Sequence, residues 1–542
     1  MNITQKDMSG AVDLMRPQTT GAIRKSHPVY VNLLPPCNSA CPAGENIQEW
    51  LALAQDGEYK EAWLALTKNN PFPAIHGRVC YHPCENACNR GETNTPVSIH
   101  AVERFLGDSA LENGWKLEAG KPASGKKIMV VGAGPSGLSA AYHLTRLGHQ
   151  VEIFEAGPVS GGMLHFGIPA YRLPRDILQK EIDRLVDMGV KIHLNHKVED
   201  VLKEQKAGGF DAVYLAIGAQ AGSHIDIPAK DSARILNAVD VLKQTGVGEK
   251  PLLGRRVVIY GGGNTAMDSA RTARRLGAYD ATIVYRRDRS RMPAHHFEVE
   301  EAISEGVQIK WLSTIKEMAS EEITIEKMEL NADGVPVPTG EYETLAADSL
   351  ILAVGQTTET GFLKQVPGLE FKKDGTVIVD DNMRTGHDGI FAGGDMTPAD
   401  RTVTTAVGHG KKAARHIDAW LNGTTYQKAP TNRVVYYKEL NLPIFADAQK
   451  SEQAELPVGQ RVEDFKEVLQ GLTEREAKRE AQRCFSCGNC YECDNCYAAC
   501  PVGAISKLGK GLGYKVDLNL CTGCAACYEQ CPCHAIDMQA EV

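Results

Sequence analysis

The chain contains 542 residues, of which 43% are hydrophobic, and its formal net charge is −9. This charge gives no basic stripe of the kind that nucleic-acid binding requires, so nucleic acid is excluded as a partner. No uninterrupted apolar stretch reaches transmembrane length, and we therefore expect a cytoplasmic protein without a membrane span. The length corresponds to roughly three or four domains of ordinary size.

The sixteen cysteines form two groups. Five lie between Cys37 and Cys88, eleven lie from Cys484 onward, and none lies between the groups. Thiols that only fill hydrophobic cores would not avoid the middle of the chain. We therefore expect both groups to bind metal.

Residues 126–157 predict a strand, a glycine-rich turn, an amphipathic helix and a second strand that ends in an acid. Gly132 makes the tight turn, Gly134 lets the backbone approach a pyrophosphate, and Gly137 lets the helix pack against the strand. At the end of the second strand, Glu155 can accept a hydrogen bond from a ribose hydroxyl. The pattern predicts a dinucleotide-binding unit whose turn consists of Gly132, Gly134, Pro135, Ser136 and Gly137.

A second copy of this pattern occupies residues 254–293, and its GxGxxA turn contains Gly261, Gly263 and Ala266. Its second strand ends in Arg286 and Arg287 instead of an acid, and Arg291 follows closely. Arginines at this place can bind a 2′-phosphate, which favours NADP(H), with NAD(H) as the alternative nucleotide. The alternative for the arginines is a solvated surface loop. Nearby, His295 and His296 lack the partner spacing of a metal site and are interpreted as loop residues.

Two short apolar strands, near residues 211–220 and 348–357, each end in a glycine, and we expect them to close nucleotide-binding sheets. Further along, Gly394 and Asp395 stand at a strand end, before a helix that starts near Thr405 and Ala406. An acid there suits the ribityl chain or pyrophosphate of a flavin, and the helix N-terminus suits negative charge. The alternative is ordinary turn chemistry.

Eight of the last eleven cysteines spell the run CxxCxxCxxxCP twice. In this spacing three thiolates bind one [4Fe–4S] cluster, and the fourth binds the neighbouring cluster. A disulfide framework requires an oxidising compartment, and zinc sites do not normally repeat this triple spacing. We expect a module that carries electrons singly, with cluster one bound by Cys490, Cys493, Cys496 and Cys531 and cluster two bound by Cys521, Cys524, Cys527 and Cys500.

Further motifs point to one family: GRVCYHPCENAC, GGMLHFGIPAYRLP, GGGNTAMDSARTARRLGA, YRR followed by MPA, and GIFAGGD. From about Cys37 to Leu421 the chain resembles the small subunit of bacterial glutamate synthase. Relatives of that subunit include the amino-terminal half of dihydropyrimidine dehydrogenase and the large subunit of the ferredoxin-NADP transhydrogenase. The resemblance implies that the first unit binds FAD and the second binds NADPH. It implies FAD contacts from Gly132, Gly134, Glu155, Gly162, Met163, Gly394 and Asp395, and nicotinamide nucleotide contacts from Gly263, Asn264, Thr265, Arg286, Arg287 and Arg291.

The expected fold class is a multidomain α/β protein. We expect an α-helical iron–sulfur domain at residues 1–118 and a Rossmann-like FAD-binding domain in two parts, at 119–240 and 345–425. A Rossmann-like NAD(P)-binding domain is inserted at 241–344. A tether at 426–482, with a helical run at 463–483, leads to an α+β bacterial ferredoxin-like domain at 483–542.

The resemblance also implies two iron–sulfur clusters in the N-terminal domain. One of them takes three cysteines and a carboxylate or amide, which match Cys41, Cys80, Cys84 and Glu103. A carboxylate ligand is chemically acceptable and changes the reduction potential. The alternative is that Glu103 is an ordinary exposed acid of a helix.

The other N-terminal cluster lacks part of its usual ligand set. The family uses an upstream CxxC together with residues that match Cys37 and Cys88, yet no cysteine precedes Cys37. The segment AQRCFSCG, with Cys484 and Cys487, resembles the missing element. We hypothesise that the C-terminal module folds back and donates both thiols, so that four cubanes leave only Cys533 spare. The alternative is that these four thiols are free.

NAD(P)H gives up two electrons together as hydride, whereas a cubane accepts one, and a flavin converts between the two. We therefore expect an oxidoreductase subunit that passes electrons between NAD(P)H and a partner catalytic subunit of a hetero-oligomer, such as a glutamate synthase or a 2-oxoacid oxidoreductase. The alternatives are a free-standing NAD(P)H:ferredoxin oxidoreductase, whose partner is soluble ferredoxin, and a non-catalytic redox sensor or scaffold. No catalytic side chain is needed, and the segment NTAMDSA lacks the CxxC of a thioredoxin-reductase-type enzyme.

Overall fold

The computed structural model describes residues 24–223, 225–229, 234–443 and 445–541. Its N-terminal part is helical and packs around the fully buried side chains of Trp50 and Trp63. The elements of this part are β1 (Ser26–Tyr30), α1 (Pro36–Ala40), α2 (Ile47–Asp56), α3 (Tyr59–Thr67), α4 (Pro73–Val79), α5 (Pro83–Asn86) and α6 (Ile99–Glu112).

The first nucleotide-binding unit follows, and its strands are apolar because helices cover both faces of a parallel sheet. Its elements are β2 (Lys127–Val131), α7 (Pro135–Arg146), β3 (Gln150–Phe154), α8 (Met163–Phe166), α9 (Arg175–Asp187), β4 (Lys191–His193), α10 (Val201–Gly208), β5 (Ala212–Leu215) and β6 (Ala221–Gly222).

The second nucleotide-binding unit is inserted next. Its elements are β7 (Ile235–Asn237), α11 (Ala238–Gly246), β8 (Arg256–Tyr260), α12 (Asn264–Arg275), β9 (Asp280–Val284), α13 (His296–Ser304), β10 (Gln308–Lys310), β11 (Ser313–Met318), β12 (Glu322–Leu330), β13 (Pro336–Ala346) and β14 (Ser349–Leu352). Five strands form a parallel sheet in the order β10-β9-β8-β14-β7, and β11, β12 and β13 form an antiparallel sheet.

This sheet corrects the predicted bounds of the second unit, 241–344. The strand β14 lies beside β8, with Ser349 opposite Val257, and β7 pairs with the other edge of β14. Both strands fall outside the predicted range because hydrogen bonding to a distant strand, which no local pattern reveals, decides where the unit ends.

The chain then returns to the first unit through β15 (Gln356–Thr357), β16 (Ile390–Ala392) and α14 (Val403–Leu421). The first sheet is parallel, with the order β16-β5-β2-β3-β4, and β15 pairs with β6 between the units. The expected closing strands are thus β5 and β14. Short 3-10 helices occur at Asn89–Glu92, Arg289–Arg291, Gly361–Gln365, Gly394–Met396 and Tyr437–Glu439.

The C-terminal part contains α15 (Val458–Arg461), α16 (Glu474–Gln482), α17 (Asn495–Ala499), β17 (Ile505–Gly509), β18 (Gly513–Val516), α18 (Ala526–Glu529) and β19 (Ile536–Ala540). The helical run predicted at 463–483 is wrong in its first half. Thr473 and Glu476 form a capping box, which starts the helix at Glu474, shortly after the helix-breaking Gly471. No helix in the described part of the chain is long and apolar enough to cross a membrane.

The two ends of the described chain meet in space. Strand β1 pairs antiparallel with β19, with Ser26 opposite Ala540 and Tyr30 opposite Ile536. Helix α16 packs on α2 and α6, and Ala481 is part of the N-terminal core. The tether therefore brings the cysteine-rich C-terminal module back against the helical domain.

Candidate functional site

A cavity of about 340 Å³ lies where the glycine turn of the first unit faces two later turns. Residues predicted to contact FAD line this cavity, namely Gly134, Pro135, Ser136, Gly162, Met163, Gly394, Asp395 and Ala406. A Cβ on Gly137 would lie 2.0 Å from the carbonyl oxygen of Gly132, so only glycine lets α7 approach the turn this closely. Thr405 lies beside the cavity, where its backbone N–H donates to the N-cap hydroxyl of Thr402.

The charged groups of this cradle also fit a dinucleotide. Both carboxylate oxygens of Glu155 accept backbone N–H bonds, from Ala133 and Gly157, at 2.8 Å each, which fixes the glycine turn. Lone pairs remain on both oxygens for a ribose hydroxyl. Burial raises the pKa of Asp395 to about 6. The N-terminus of α7 at Gly134 faces the cavity and favours a pyrophosphate.

The opposite wall of the cavity comes from the second unit, through Asn264, Thr265 and Asp268 of α12. Arg172, which belongs to the first unit, joins this wall by ion pairs to Asp268 (2.8 Å) and Glu298 (2.6 Å). The sequence analysis did not single out Arg172 as functional, although it lies in the quoted motif GGMLHFGIPAYRLP. The arrangement brings residues predicted to contact the nicotinamide nucleotide and residues predicted to contact the flavin to one cavity.

A second cavity, of about 360 Å³, surrounds the glycine turn of the second unit. Gly261, Gly263, Thr265, Arg286 and Arg287 line it, and Ala266 is fully buried beneath the turn. Arg291 does not line this cavity.

The guanidinium of Arg291 instead pairs with Asp288 at 2.6 Å. Both side chains of this pair are partly exposed, so the pair offsets the charge of Arg291 only in part, and the contact of Arg291 with the nucleotide stays a prediction. The basic end of the second cavity is formed by Arg286 and Arg287.

Cys80 lies beside the first cavity, because its chain neighbours Val79 and Tyr81 both line that cavity. Burial raises the pKa of the Cys80 thiol to about 12, and the nearby Glu103 carboxyl adds to the rise. The thiol accepts hydrogen bonds from the Thr404 hydroxyl at 3.0 Å and from the backbone N–H of His82 at 3.3 Å.

Glu103 belongs to the same cluster of side chains and is only 6% exposed, which excludes the alternative of an exposed helical acid. Burial, followed by the charge of Glu45, holds the pKa of Glu103 well above its usual range. The amide nitrogen of Asn70 donates to Glu45 and to Glu103 at 2.9 Å each. The pKa of Cys41 is raised by burial and then by Glu45, which sequence reasoning missed although it follows Cys41 by four residues.

Cys37, Cys88, Cys484 and Cys487 come together from the two ends of the chain. The pKa of the Cys37 thiol is raised first by burial and then by Cys484, Cys88 and Cys487. Cys484 accepts from the backbone N–H of Ser486, and Cys487 accepts from the Asn89 amide, at 3.4 Å each. These four thiols are therefore close neighbours, as the fold-back hypothesis requires.

The ferredoxin-like module also groups its thiols as the spacing predicts. Burial raises the pKa of Cys490 to about 11, with added effects from Cys496, Cys531 and Cys493. The other set lines one small cavity and consists of Cys500, Cys521, Cys524 and Cys527. Cys533, the cysteine that four clusters leave over, lies 3.8 Å from Cys531, sulfur to sulfur.

The donor chemistry of these thiols fits iron–sulfur clusters. All sixteen cysteines lie in the described part of the chain, and all are free thiols. Backbone N–H groups donate to the sulfurs of Cys500, Cys521 and Cys531 at 3.2 to 3.4 Å. Such donors stabilise thiolate sulfur, which is the form that ligates iron.

Three family models match the chain. A 4Fe-4S cluster model described as dihydropyrimidine dehydrogenase domain II matches residues 22–115. The pyridine nucleotide-disulphide oxidoreductase model matches residues 114–410, which is more than half of the chain, and a 4Fe-4S binding domain matches residues 514–537. No cysteine lies between Cys88 and Cys484, so the nucleotide-binding units retain the fold without a disulfide of their own.

Curated relatives agree with these matches. The subunit beta of the NADP(+)-dependent formate dehydrogenase of Moorella thermoacetica is 36% identical over 499 residues, covering 83% of this chain and 70% of the relative. The subunit beta of the NADPH-Fe(3+) oxidoreductase of Geobacter sulfurreducens is 32% identical over 503 residues, covering 83% and 75%.

The small chain of the NADPH glutamate synthase of Escherichia coli is 33% identical over 418 residues, covering 71% of this chain and 89% of the relative. The predicted resemblance, fold class and cofactor classes are thereby confirmed. The chain therefore belongs to the flavin- and iron–sulfur-containing pyridine nucleotide oxidoreductases that include the glutamate synthase small chain, electron-transfer enzymes that use FAD, NAD(P) and [4Fe–4S] clusters.

Proposed function

We propose that this chain is the electron-transfer subunit that links NADP(H) to a partner catalytic subunit, through FAD and four [4Fe–4S] clusters. The observation that carries the proposal is the position of Cys80, whose two chain neighbours line the flavin cavity. A ligand of the first cluster would thus lie at the wall of the flavin site. Bound flavin supplies the conversion between hydride and single electrons.

Successive proposed ligand sets are close to one another, as electron transfer from cluster to cluster requires. Cys84, in the first set, has its pKa raised by burial and then by its neighbours, which include Cys37 of the second set. The second set ends at Cys487, three residues before Cys490 of the third set. In the same way, Cys496 of the third set contributes to the raised pKa of Cys527 in the fourth, after burial. Each set therefore has the next as a neighbour.

The nucleotide, the partner and the location are part of the proposal. Arg286 and Arg287 at the second cavity favour NADP(H) through its 2′-phosphate. Two of the relatives are named as beta subunits and one as a small chain, which supports a partner catalytic subunit here. Sixteen free thiols suit the reducing cytoplasm.

Anaerobic rapid mixing of the purified chain with NADPH tests the proposal. We expect the flavin absorbance to bleach first and the cluster absorbance to fall afterwards, with NADH acting more slowly as the matched control. Flavin that bleaches while all clusters stay oxidised would contradict the proposed wire. Gel filtration of native extract tests the partner, because elution as a lone 58.9 kDa species that reduces soluble ferredoxin would favour the free-standing reductase instead.

A further inference from the structure

Helix α14 of the FAD-binding unit lies between the flavin cavity and the cysteines of the N-terminal domain. Its first turn, with Val403 and Ala406, lines the cavity together with the N-cap residue Thr402. Thr404, which follows Val403 in the same turn, is 4% exposed, and its hydroxyl lies 3.0 Å from the sulfur of Cys80. One turn of helix therefore touches the flavin site on one side and a proposed cluster ligand on the other.

The same helix is fixed against its neighbours by two close approaches. A Cβ on Gly408 would lie 2.1 Å from the carbonyl oxygen of Pro42, directly after Cys41. A Cβ on Gly410 would lie 2.3 Å from the carbonyl oxygen of Ser136 in the flavin turn. The backbone of α14 thus packs tightly between the loop that follows Cys41 and the N-terminus of α7, which fixes the position of the helix that carries Thr404.

A buried cation reinforces this placement. The ammonium group of Lys411, also on α14, donates to the carbonyl oxygens of Ala43 and Gly44 and to the side-chain oxygen of Asn69. All three acceptors belong to the N-terminal domain, so the contact ties the FAD-binding unit to the loop that carries Cys41.

The Thr404 hydroxyl is oriented as a donor to sulfur. Thr404 stands in the first turn of α14, and its hydroxyl oxygen lies 3.0 Å from the Cys80 sulfur, within donating distance. Hydrogen bonds to cluster sulfurs raise the reduction potential, because they stabilise the extra negative charge of the reduced cluster.

We propose that Thr404 is a positioning residue that raises the reduction potential of the cluster ligated by Cys80 and so adapts that cluster to accept electrons from the flavin. The inference rests on the proposed function for the ligand set. It adds that a residue of the FAD-binding unit sets the reduction potential of the cluster that accepts electrons from the flavin. The chemical event is a hydrogen bond to a ligand sulfur, with no change in the ligands themselves.

The test is an EPR-monitored redox titration of the anaerobically purified full-length chain. Thr404→Val removes the donor at nearly constant volume. We expect the midpoint potential of one cluster only to fall by about 59 mV, which for a one-electron couple is a tenfold shift toward the oxidised form. Thr404→Ser keeps the donor and should restore the potential. Thr245→Val is the matched control, because the Thr245 hydroxyl donates within α11 to Val241, away from the cysteines.

A Thr404→Val protein with wild-type iron content and unchanged midpoint potentials would overturn the inference. Thr404→Ala, which removes the same donor with less bulk, should give the same shift, and an unchanged potential in that variant also counts against it. A wild-type chain without iron would contradict the proposed function itself, so the two failures are distinguishable.

Discussion

The two iron–sulfur regions of this molecule are built in opposite ways. The ferredoxin-like module draws eight proposed ligands from residues 490–531, and Cys490 and Cys524 of this module are exposed. The N-terminal region takes its proposed ligands from segments at both ends of the chain, and Cys37 and Cys84 are buried there. The ligands of the ferredoxin-like module lie within one segment of the chain, although β1 adds a paired strand to that module. The N-terminal site takes ligands from both ends of the chain and exists only after these ends have packed together.

The N-terminal thiols therefore come together only when the tertiary structure has formed. Buried polar contacts hold the C-terminal end of the tether against the N-terminal domain. The Arg483 guanidinium donates hydrogen bonds to Glu480 and to the backbone oxygens of Thr95, Pro96 and Ala448. Changes at this junction should disturb the assembled site, and changes in contiguous motifs should act locally.

The largest expected effect comes from Cys484→Ser. Because metal binding and folding are coupled, the variant should lose about four irons per chain, one [4Fe–4S] cluster, and unfold at lower temperature. Iron analysis and thermal unfolding under anaerobic conditions measure both. Cys533→Ser is the control and should keep its iron. Retention of all the iron in Cys484→Ser would show that Cys484 ligates no cluster.

Arg483→Ala tests the junction without touching a thiol. Removing the guanidinium leaves the fully buried Glu480 carboxylate without a positive partner, although it keeps the backbone N–H groups of Ser98 and Ser451. The loss should lower the free energy of unfolding by up to about 3–5 kcal/mol. Urea unfolding measures the change. Arg479→Ala, at an exposed position of the same helix, should have little effect, and equal losses in both variants would show that the buried ion pair has no special role.

In the second nucleotide-binding unit, the double substitution Arg286→Ala with Arg287→Ala should affect nucleotide binding and leave the clusters intact. Loss of charge-assisted hydrogen bonds of about 1.5–3 kcal/mol should raise KM for NADPH about tenfold or more, with a smaller change for NADH. Steady-state reduction of an artificial acceptor measures both constants. Arg291→Ala should change both constants less, because Arg291 already pairs with Asp288. Equal losses with both nucleotides in the double variant would contradict binding of the 2′-phosphate by Arg286 and Arg287.

Glu181 joins α9 to the N-terminal domain by accepting the backbone N–H of Ala74 at 3.0 Å. Burial raises its pKa from 4.5 to about 7, so the folded state binds the proton more tightly. This stabilisation is complete below pH 4.5 and is lost as the pH rises toward 7, by about 1.4 kcal/mol per unit at most.

Glu181→Gln should therefore remove this pH dependence, which urea unfolding at several pH values measures. Asp183→Asn, at an exposed position of the same helix, is the control. A wild-type protein whose stability relative to Glu181→Gln stays constant from pH 4.5 to 7 would contradict the raised pKa.

Local chemistry explains which parts were predictable. The cysteine runs, both glycine turns and Asp395 follow from spacing, since each ligand group lies within one short segment. The grouping of Cys484 with Cys37 was reached only through resemblance. The contact of Thr404 with Cys80 and the ion pairs of Arg172 were not predictable, because they join residues that only tertiary packing brings together. The ion pair of Arg291 with Asp288 was not predicted either, although the two residues are only three positions apart.

We infer that cysteines from both ends of the chain complete the N-terminal clusters, so that the protein carries four [4Fe–4S] clusters in series. Iron and acid-labile sulfide, measured per chain on anaerobically purified protein together with bound FAD, test it most directly. We expect about 16 irons, about 16 sulfides and one FAD per chain, since each [4Fe–4S] cluster holds four irons and four sulfides. A value of about eight irons would leave only the ferredoxin-like module loaded and would contradict the claim.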